Sequence, residues 1–462
     1  MAIAAATPLP AALQRSYGPY AGGLTLAAAT GMSTTTVAAA LVSRNPHMLM
    51  ASAGVISVCA AFVLRPLWGL MLMLALRPLM DVWANTSLAG VSGLRSLNVS
   101  SLMAVVGLVV VGAFVVEQWR DVKHAPSTRP LVVFLFLAGV SVVTGHLHSA
   151  GITELSRYAT TVILYLAVFA AVRTRRDALQ IVAAILASAI PVIVIGLYQV
   201  GYGNITPSRD GLLRVHATFV AVDSFGIFMA LICVVALPLV LTRGIHWRWM
   251  VAIAAPFALF DFVESYARTG WIATVVGVLI IAGLRYRWLL LAIPVVLVLF
   301  LIAVPSVSAR FGDLTRSTSY GPGNTLSGRF NLWTENLPTV ERNPITGLGF
   351  GYIAARPNGH PVHNDYVRAV VETGVTGLLC YLWLIWATAK ASWAWAQRGM
   401  RSRSAVDRAL GLSLFVVVPA WYLMSGTSNL MSQVVVAGVF WSLAACGHSL
   451  LRRGADSEFG YA

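Results

Sequence analysis

Apolar runs long enough to cross a bilayer recur from end to end of the chain, separated by short polar or basic connections. A hydrocarbon layer about 30 Å thick takes roughly 20 helical residues per crossing. Runs of that kind lie at 97–117, 130–147, 152–172, 178–201, 218–242, 269–284, 287–305, 374–395, 406–425 and 430–450. Less regular ones lie at 24–43, at 48–64 and 66–79 on either side of Arg65-Pro66, and at 249–263, which closes on acidic residues. Counted singly they give 14 crossings; omitting the first and fusing the broken pair gives 12. The expected fold is therefore all-α and polytopic, with 12 or 14 transmembrane helices and both termini on one side.

Only one connection, 306–362, is long, and its pattern is not that of filler. After the turn signal Gly321-Pro322-Gly323-Asn324, the residues Phe330, Trp333, Leu337 and Val340 recur at the spacing of an amphipathic helix, and Asn343-Pro344 stops it. Gly347, Gly349 and Gly351 then permit a sharp backbone turn. The chain divides into N-terminal transmembrane helices (1–305), a folded lid (306–362), and an active-site helix with the C-terminal transmembrane helices (363–462).

Composition agrees: 58% of residues are hydrophobic and 11% charged, too few charges to cover a soluble domain of this length. The net charge of +15 sits mostly in the connections 120–129, 173–176, 243–248, 285–287, 390–403 and 452–453, which fall on one side when crossings alternate. A cationic excess marks the cytoplasmic side, so both termini are expected there. The connections 80–96, 202–217, 264–268, 306–362 and 426–429 face outward, into the periplasm if the cell has an outer membrane. No removable signal peptide is expected, because the N-terminus lacks a basic region followed by an apolar core and cleavage site. The basic charge does not indicate a nucleic-acid partner. Cys59, Cys233, Cys380 and Cys446 all fall in apolar runs and read as small core residues.

This orientation sets Arg214, Arg268, Arg310, Arg316, Arg329, Arg342 and Arg356 on the outer side, against the usual bias. A guanidinium stays charged and matches phosphate oxygens in bidentate fashion, so such a set suits a diphosphate or an anionic headgroup; anchoring helix ends to ordinary lipid is the plainer role. His363 opens the stretch PVHNDYVRAVVETGVTG (361–377), which runs from the lid into an apolar span. Helical spacing sets His363, Tyr366, Val367 and Val370 on one face and pairs Arg368 with Glu372 at i, i+4. Imidazole is the natural base for a sugar hydroxyl near neutrality; His216 and His360 are weaker candidates. No Asp-x-Asp, His-x-x-x-His, Walker loop or Gly-x-Ser-x-Gly is present, so neither metal nor cofactor is expected.

Three segments, SGRFNLW (327–333), NPITGLGFG (343–351) and HNDYVRAVVETGVTGLL (363–379), resemble the conserved block of the bacterial O-antigen ligase and O-antigen polymerase superfamily. His-Asn followed after nine residues by Gly374 matches the ligase pattern. RVHATFVAVDSFGIFMA (214–230) resembles an upstream Arg-x-x-Gly-x-Phe segment, with Ala217 in place of Gly and Asp223 in place of Asn, and SYARTGW (265–271) resembles a Ser-x-Arg helix start. The resemblance implies a metal-independent, inverting glycosyltransferase of GT-C-like type in the bacterial inner membrane. It implies an undecaprenyl-diphosphate-linked glycan as donor and a hydroxyl of the lipid A core as acceptor. In the polymerase reading another lipid-linked repeat is the acceptor. It further implies His363 as general base, Arg268 and Arg214 at the diphosphate, and Arg329, Asn364, Tyr366, Arg310 and Arg316 as substrate contacts. With a tail of only about a dozen residues after Leu451, the extra C-terminal region of protein-glycosylating relatives is not expected, which favours the ligase reading. From another class, a lipid-linked glycan transporter or flippase would share the helix count and membrane lipids as partners. Oligomeric state is left open.

Overall fold

Each apolar run marked above carries a helix. The computed structural model describes residues 21–43, 46–83, 99–145, 148–203, 213–303, 326–355 and 361–456. In chain order the helices longer than four residues are α1 (Gly23–Ser43), α2 (Pro46–Leu64), α3 (Pro66–Met80), α4 (Val99–Val106), α5 (Gly112–Glu117), α6 (Thr128–Thr144), α7 (His148–Ala171) and α8 (Arg175–Tyr202). They continue as α9 (Val222–Val240), α10 (Arg248–Glu264), α11 (Arg268–Leu284), α12 (Leu289–Ala303), α13 (Leu326–Asn336), α14 (Asp365–Arg401), α15 (Ala405–Ser425) and α16 (Val434–Asp456). A π turn over Gly107–Val111 joins α4 to α5.

Among the described residues seven helices are long and apolar enough to cross a bilayer, and five shorter apolar ones accompany them. The chain is a multi-pass membrane protein. The runs around Arg65 do not fuse: Arg65 is extended (φ −156°), and Pro66, lacking an N–H, starts α3 as a new helix packed on α2.

One end of the bundle collects the basic connections. Asp121 pairs with Arg453 (2.8 Å) and Arg173 (3.7 Å), Asp177 with Arg65 (3.2 Å), and Asp407 with Arg175 (3.2 Å). A Thr242–Tyr286 hydroxyl contact of 3.3 Å links the connections at 243–248 and 285–287. The apolar centre is aromatic, with Trp421 stacked on Phe440 at 4.4 Å and Trp441 edge-on to Tyr165. Within it His448 joins three helices, one ring nitrogen 2.9 Å from Tyr165 Oη and the other 3.1 Å from Ser392 Oγ. Both nitrogens are thus engaged, as a polar group among packed helices requires.

At the other end lies the lid. Its amphipathic helix is shorter than the sequence pattern suggests: α13 ends at Asn336, and Pro338 carries the chain into a 3-10 turn over Leu337–Arg342. The stripe also divides by face. Trp333 and Val340 pack with Ile353, Val362, Val367, Val370 and Val371, whereas Phe330 and Leu337 stay exposed. Arg310, Arg316, Arg356 and His360 lie outside the described residues.

Candidate functional site

The glycine-rich strap shapes the head of α14. Gly347, Gly349 and Gly351 have φ of 70°, 112° and 86°, the left-handed backbone expected of this turn. The strap then lies along the helix, with Leu348 N–H donating to Val371 O (2.9 Å) and Gly349 N–H to Glu372 O (3.3 Å). Ser141 Oγ on α6 also donates to Glu372 O, at 2.6 Å. Opposite the strap the helix breaks at Gly374 (φ 71°, ψ −172°), and Val375 N–H bonds to Pro344 O (2.8 Å) instead of to its own helix. A Cβ on Gly374 would strike Ile345 O, and one on Gly347 would come within 2.5 Å of the Glu372 carbonyl carbon. The Gly374 break thus separates the head, Asp365–Thr373, from the apolar continuation of α14.

Beneath the head is a buried ion network. Arg368 Nε donates to Glu372 (3.0 Å), as the i, i+4 spacing anticipates, and Arg368 Nη2 donates to Glu154 (2.7 Å) on α7. Glu154 also pairs with Arg157. The Arg368 guanidinium lies 5.8 Å and 5.9 Å from the Tyr158 and Phe350 ring centroids. Glu372 Oε1 accepts from Ile353 N–H (3.1 Å), which keys the strap into the same network. Arg368 is shared by two buried carboxylates, Arg157 supplies a second cation from the half-exposed side, and the buried Asp365 lies on the same cavity as Arg368 and Glu372. Local spacing gave no sign of Glu154 as a partner; an acid inside an apolar run was the available signal.

His363 is not on the face of α14 proposed for it. It precedes the helix, in a left-handed conformation (φ 48°), and Asn364 is the N-cap, its side-chain oxygen accepting from Tyr366 N–H (2.9 Å) and Val367 N–H (3.1 Å). Helical spacing therefore does not relate His363 to Tyr366, Val367 and Val370. Tyr366 donates its hydroxyl to Tyr422 O (3.1 Å) on α15. Asn364 and Tyr366 thus have structural duties beside any substrate contact.

The element that sequence reasoning missed is the loop at 426–433 between α15 and α16. Thr427 O accepts from Arg329 (2.7 Å) and Thr427 Oγ1 lies 2.9 Å from Thr269 Oγ1, next to Arg268. Asn429 Oδ1 accepts from Asn364 N–H (2.8 Å), and Leu430 and Met431 N–H both donate to Asp365 Oδ2 (3.0 and 3.3 Å). One short loop thereby gathers the surroundings of Arg329, Arg268 and His363. Arg329 also lies 3.9 Å from Asp223. The Arg214 segment joins through Val215 N–H to Glu264 O (3.0 Å), one turn before Arg268.

Ala217 of that segment has φ 48°, a conformation that suits glycine, and Gln199 grips the turn by accepting from Ala217 N–H (2.9 Å) and donating to its carbonyl (3.0 Å). Ala217→Gly is expected to stabilise the protein by about 1 kcal/mol by removing the left-handed penalty. In a chain of this length that amounts to a rise of roughly 1–2 °C in unfolding midpoint, read by differential scanning fluorimetry in detergent.

Residues 253–382, which include α11, the described lid and the head of α14, match a family model described as O-antigen ligase. The chain is also similar to the exopolysaccharide production protein ExoQ of Rhizobium meliloti (strain 1021), 26% identical over 196 residues. That match covers 37% of this chain and 45% of the relative, less than half the length of either.

Proposed function

We propose, on the premise that the chain is a member of the O-antigen ligase/polymerase superfamily through residues 253–382, that it transfers a polysaccharide from undecaprenyl diphosphate to a hydroxyl of the lipid A core. The reaction takes place at the outer face of the inner membrane, with both termini cytoplasmic. The observation carrying this reading is the convergence on one loop of the His363 backbone, the lid arginine Arg329 and the start of α11 at Arg268.

In the transfer, the acceptor hydroxyl gives its proton to the His363 imidazole while its oxygen forms a bond to the anomeric carbon. The bond from that carbon to the diphosphate oxygen breaks, the diphosphate leaves with the electron pair, and the anomeric configuration inverts. Arg268, Arg214 and Arg329 hold the diphosphate and offset its growing charge without a metal; Arg310 and Arg316 belong to the same outward set. Arg268→Lys keeps the charge and loses the bidentate fork. It is expected to lower kcat/KM about tenfold or more, read with purified enzyme and lipid-linked donor; unchanged turnover would remove Arg268 from the diphosphate site.

A second reading is supported by the similarity to a protein named for exopolysaccharide production. The acceptor is then another lipid-linked glycan, and the reaction is a polymerisation. Deletion of the gene separates the two. Core-only lipopolysaccharide with free lipid-linked polymer marks the ligase, and a single repeat on the core marks the polymerase. Wild-type lipopolysaccharide and exopolysaccharide in the deletion strain would sink both.

A further inference from the structure

The loop at 426–433 lies beyond the family match, and it holds the peptide plane after His363 while the lid holds the plane before it. The φ and ψ of a residue are set by the orientations of its two flanking peptide planes. The plane before His363 contains Val362 C=O, which accepts from Trp333 Nε1 at 2.7 Å. The plane after it contains Asn364 N–H, which donates to Asn429 Oδ1 at 2.8 Å. An N-cap N–H has no acceptor within its own helix, and Asn364 and Asn429 are both buried, so Asn429 is what satisfies it. Asp365 Oδ2 holds the loop in register through the N–H groups of Leu430 and Met431.

We propose that Asn429 and Trp333 are positioning residues that clamp His363 from the two sides and hold its left-handed backbone, so that the imidazole meets the acceptor hydroxyl. Trp333 belongs to the lid and Asn429 to the α15–α16 loop, so the imidazole is fully placed only when the lid is docked. Arg329, one turn before Trp333 on α13, bonds to the same loop at Thr427 O. The lid therefore carries a diphosphate-side arginine and half of the clamp together. This inference rests on His363 being the base.

The test measures turnover per donor-binding site with purified full-length enzyme, lipid-linked glycan and acceptor. Asn429→Ala and Trp333→Phe are each expected to lower kcat about tenfold or more while donor KM moves by less than about twofold, because only the alignment of the base is lost. Asn429→Asp keeps the acceptor oxygen, and its charge is tolerated at the N-terminal end of α14; it is expected to return kcat to within about threefold of wild type. A loss of donor-binding sites with normal turnover in those that remain would show a merely structural role and overturn the proposal. Wild-type kcat in Trp333→Phe together with a failure of Asn429→Asp to restore turnover would do the same. His363→Ala in the same assay keeps the two ideas apart. If it is active, the base assignment fails; if it is inactive while both clamp variants turn over normally, only the clamp fails.

Discussion

His363→Ala is expected to lower kcat by about 10²–10⁴-fold, the range that a positioned general base contributes, with donor KM nearly unchanged. The direction follows from the geometry. His363 precedes α14 and carries no capping duty; that falls to Asn364, whose side-chain oxygen takes the first free N–H groups of the helix. The bonds that hold the helix start, the strap and the ion network are made by Asn364, Leu348, Gly349, Arg368 and Glu372, all of which the variant retains. His216 is poorly placed to substitute, since its Nδ1 lies 2.8 Å from Phe219 O in its own turn. The measurement is single-turnover transfer of a labelled lipid-linked glycan, with unfolding midpoints as a control on folding. A protein that only carries or flips the lipid-linked glycan would bind donor equally well with and without His363 and form no glycosidic bond in either case. That outcome would replace the transferase reading with a transport one.

Different parts of this arrangement were legible in the sequence to different degrees, for physical reasons. Bilayer length and helical rise leave their mark as runs of apolar residues, so every run carries a helix. The Arg368–Glu372 pair and the glycine-permitted turn are local, and local spacing reveals them. The stripe from Phe330 to Val340 was read at one fixed pitch, but Pro338 takes the chain into a 3-10 turn, and Phe330 faces away from the packed residues even within α13. His363 was set on a helical face for a similar reason: its φ of 48° takes it out of the helix one residue before the cap. Glu154 and Asn429 are 214 and 65 residues distant from their partners, and no periodicity connects them. Gly347 and Gly374 appear in the sequence as part of a motif; only the approach of the strap to α14 explains why a Cβ is excluded at each.

Arg368→Ala is expected to be the most destabilising single change in this region, at roughly 3–5 kcal/mol, because it removes the cation that two buried carboxylates share. Glu154 and Glu372 have side chains only 4% and 0% exposed, and the guanidinium lies between them with separate nitrogens on each. Arg157 continues to pair with Glu154, but it is half exposed and does not reach Glu372 by any described contact. The uncompensated charge then falls on Glu372, whose other oxygen holds Ile353 N–H, so the strap should loosen together with the network. Arg368→Lys supplies the charge at one point and cannot bond both acids in the same geometry; an intermediate loss is expected. Changing Arg368 to Met together with Glu154 and Glu372 to Gln removes every buried charge of the triad at once. It should recover most of the stability that Arg368→Ala loses, since a buried ion pair contributes little over a well-packed neutral set. Unfolding midpoints in detergent, with limited proteolysis at the strap, measure both parts of the expectation. A triple variant no more stable than Arg368→Ala would mean that the guanidinium acts through packing against Tyr158 and Phe350, and that the charge balance matters little.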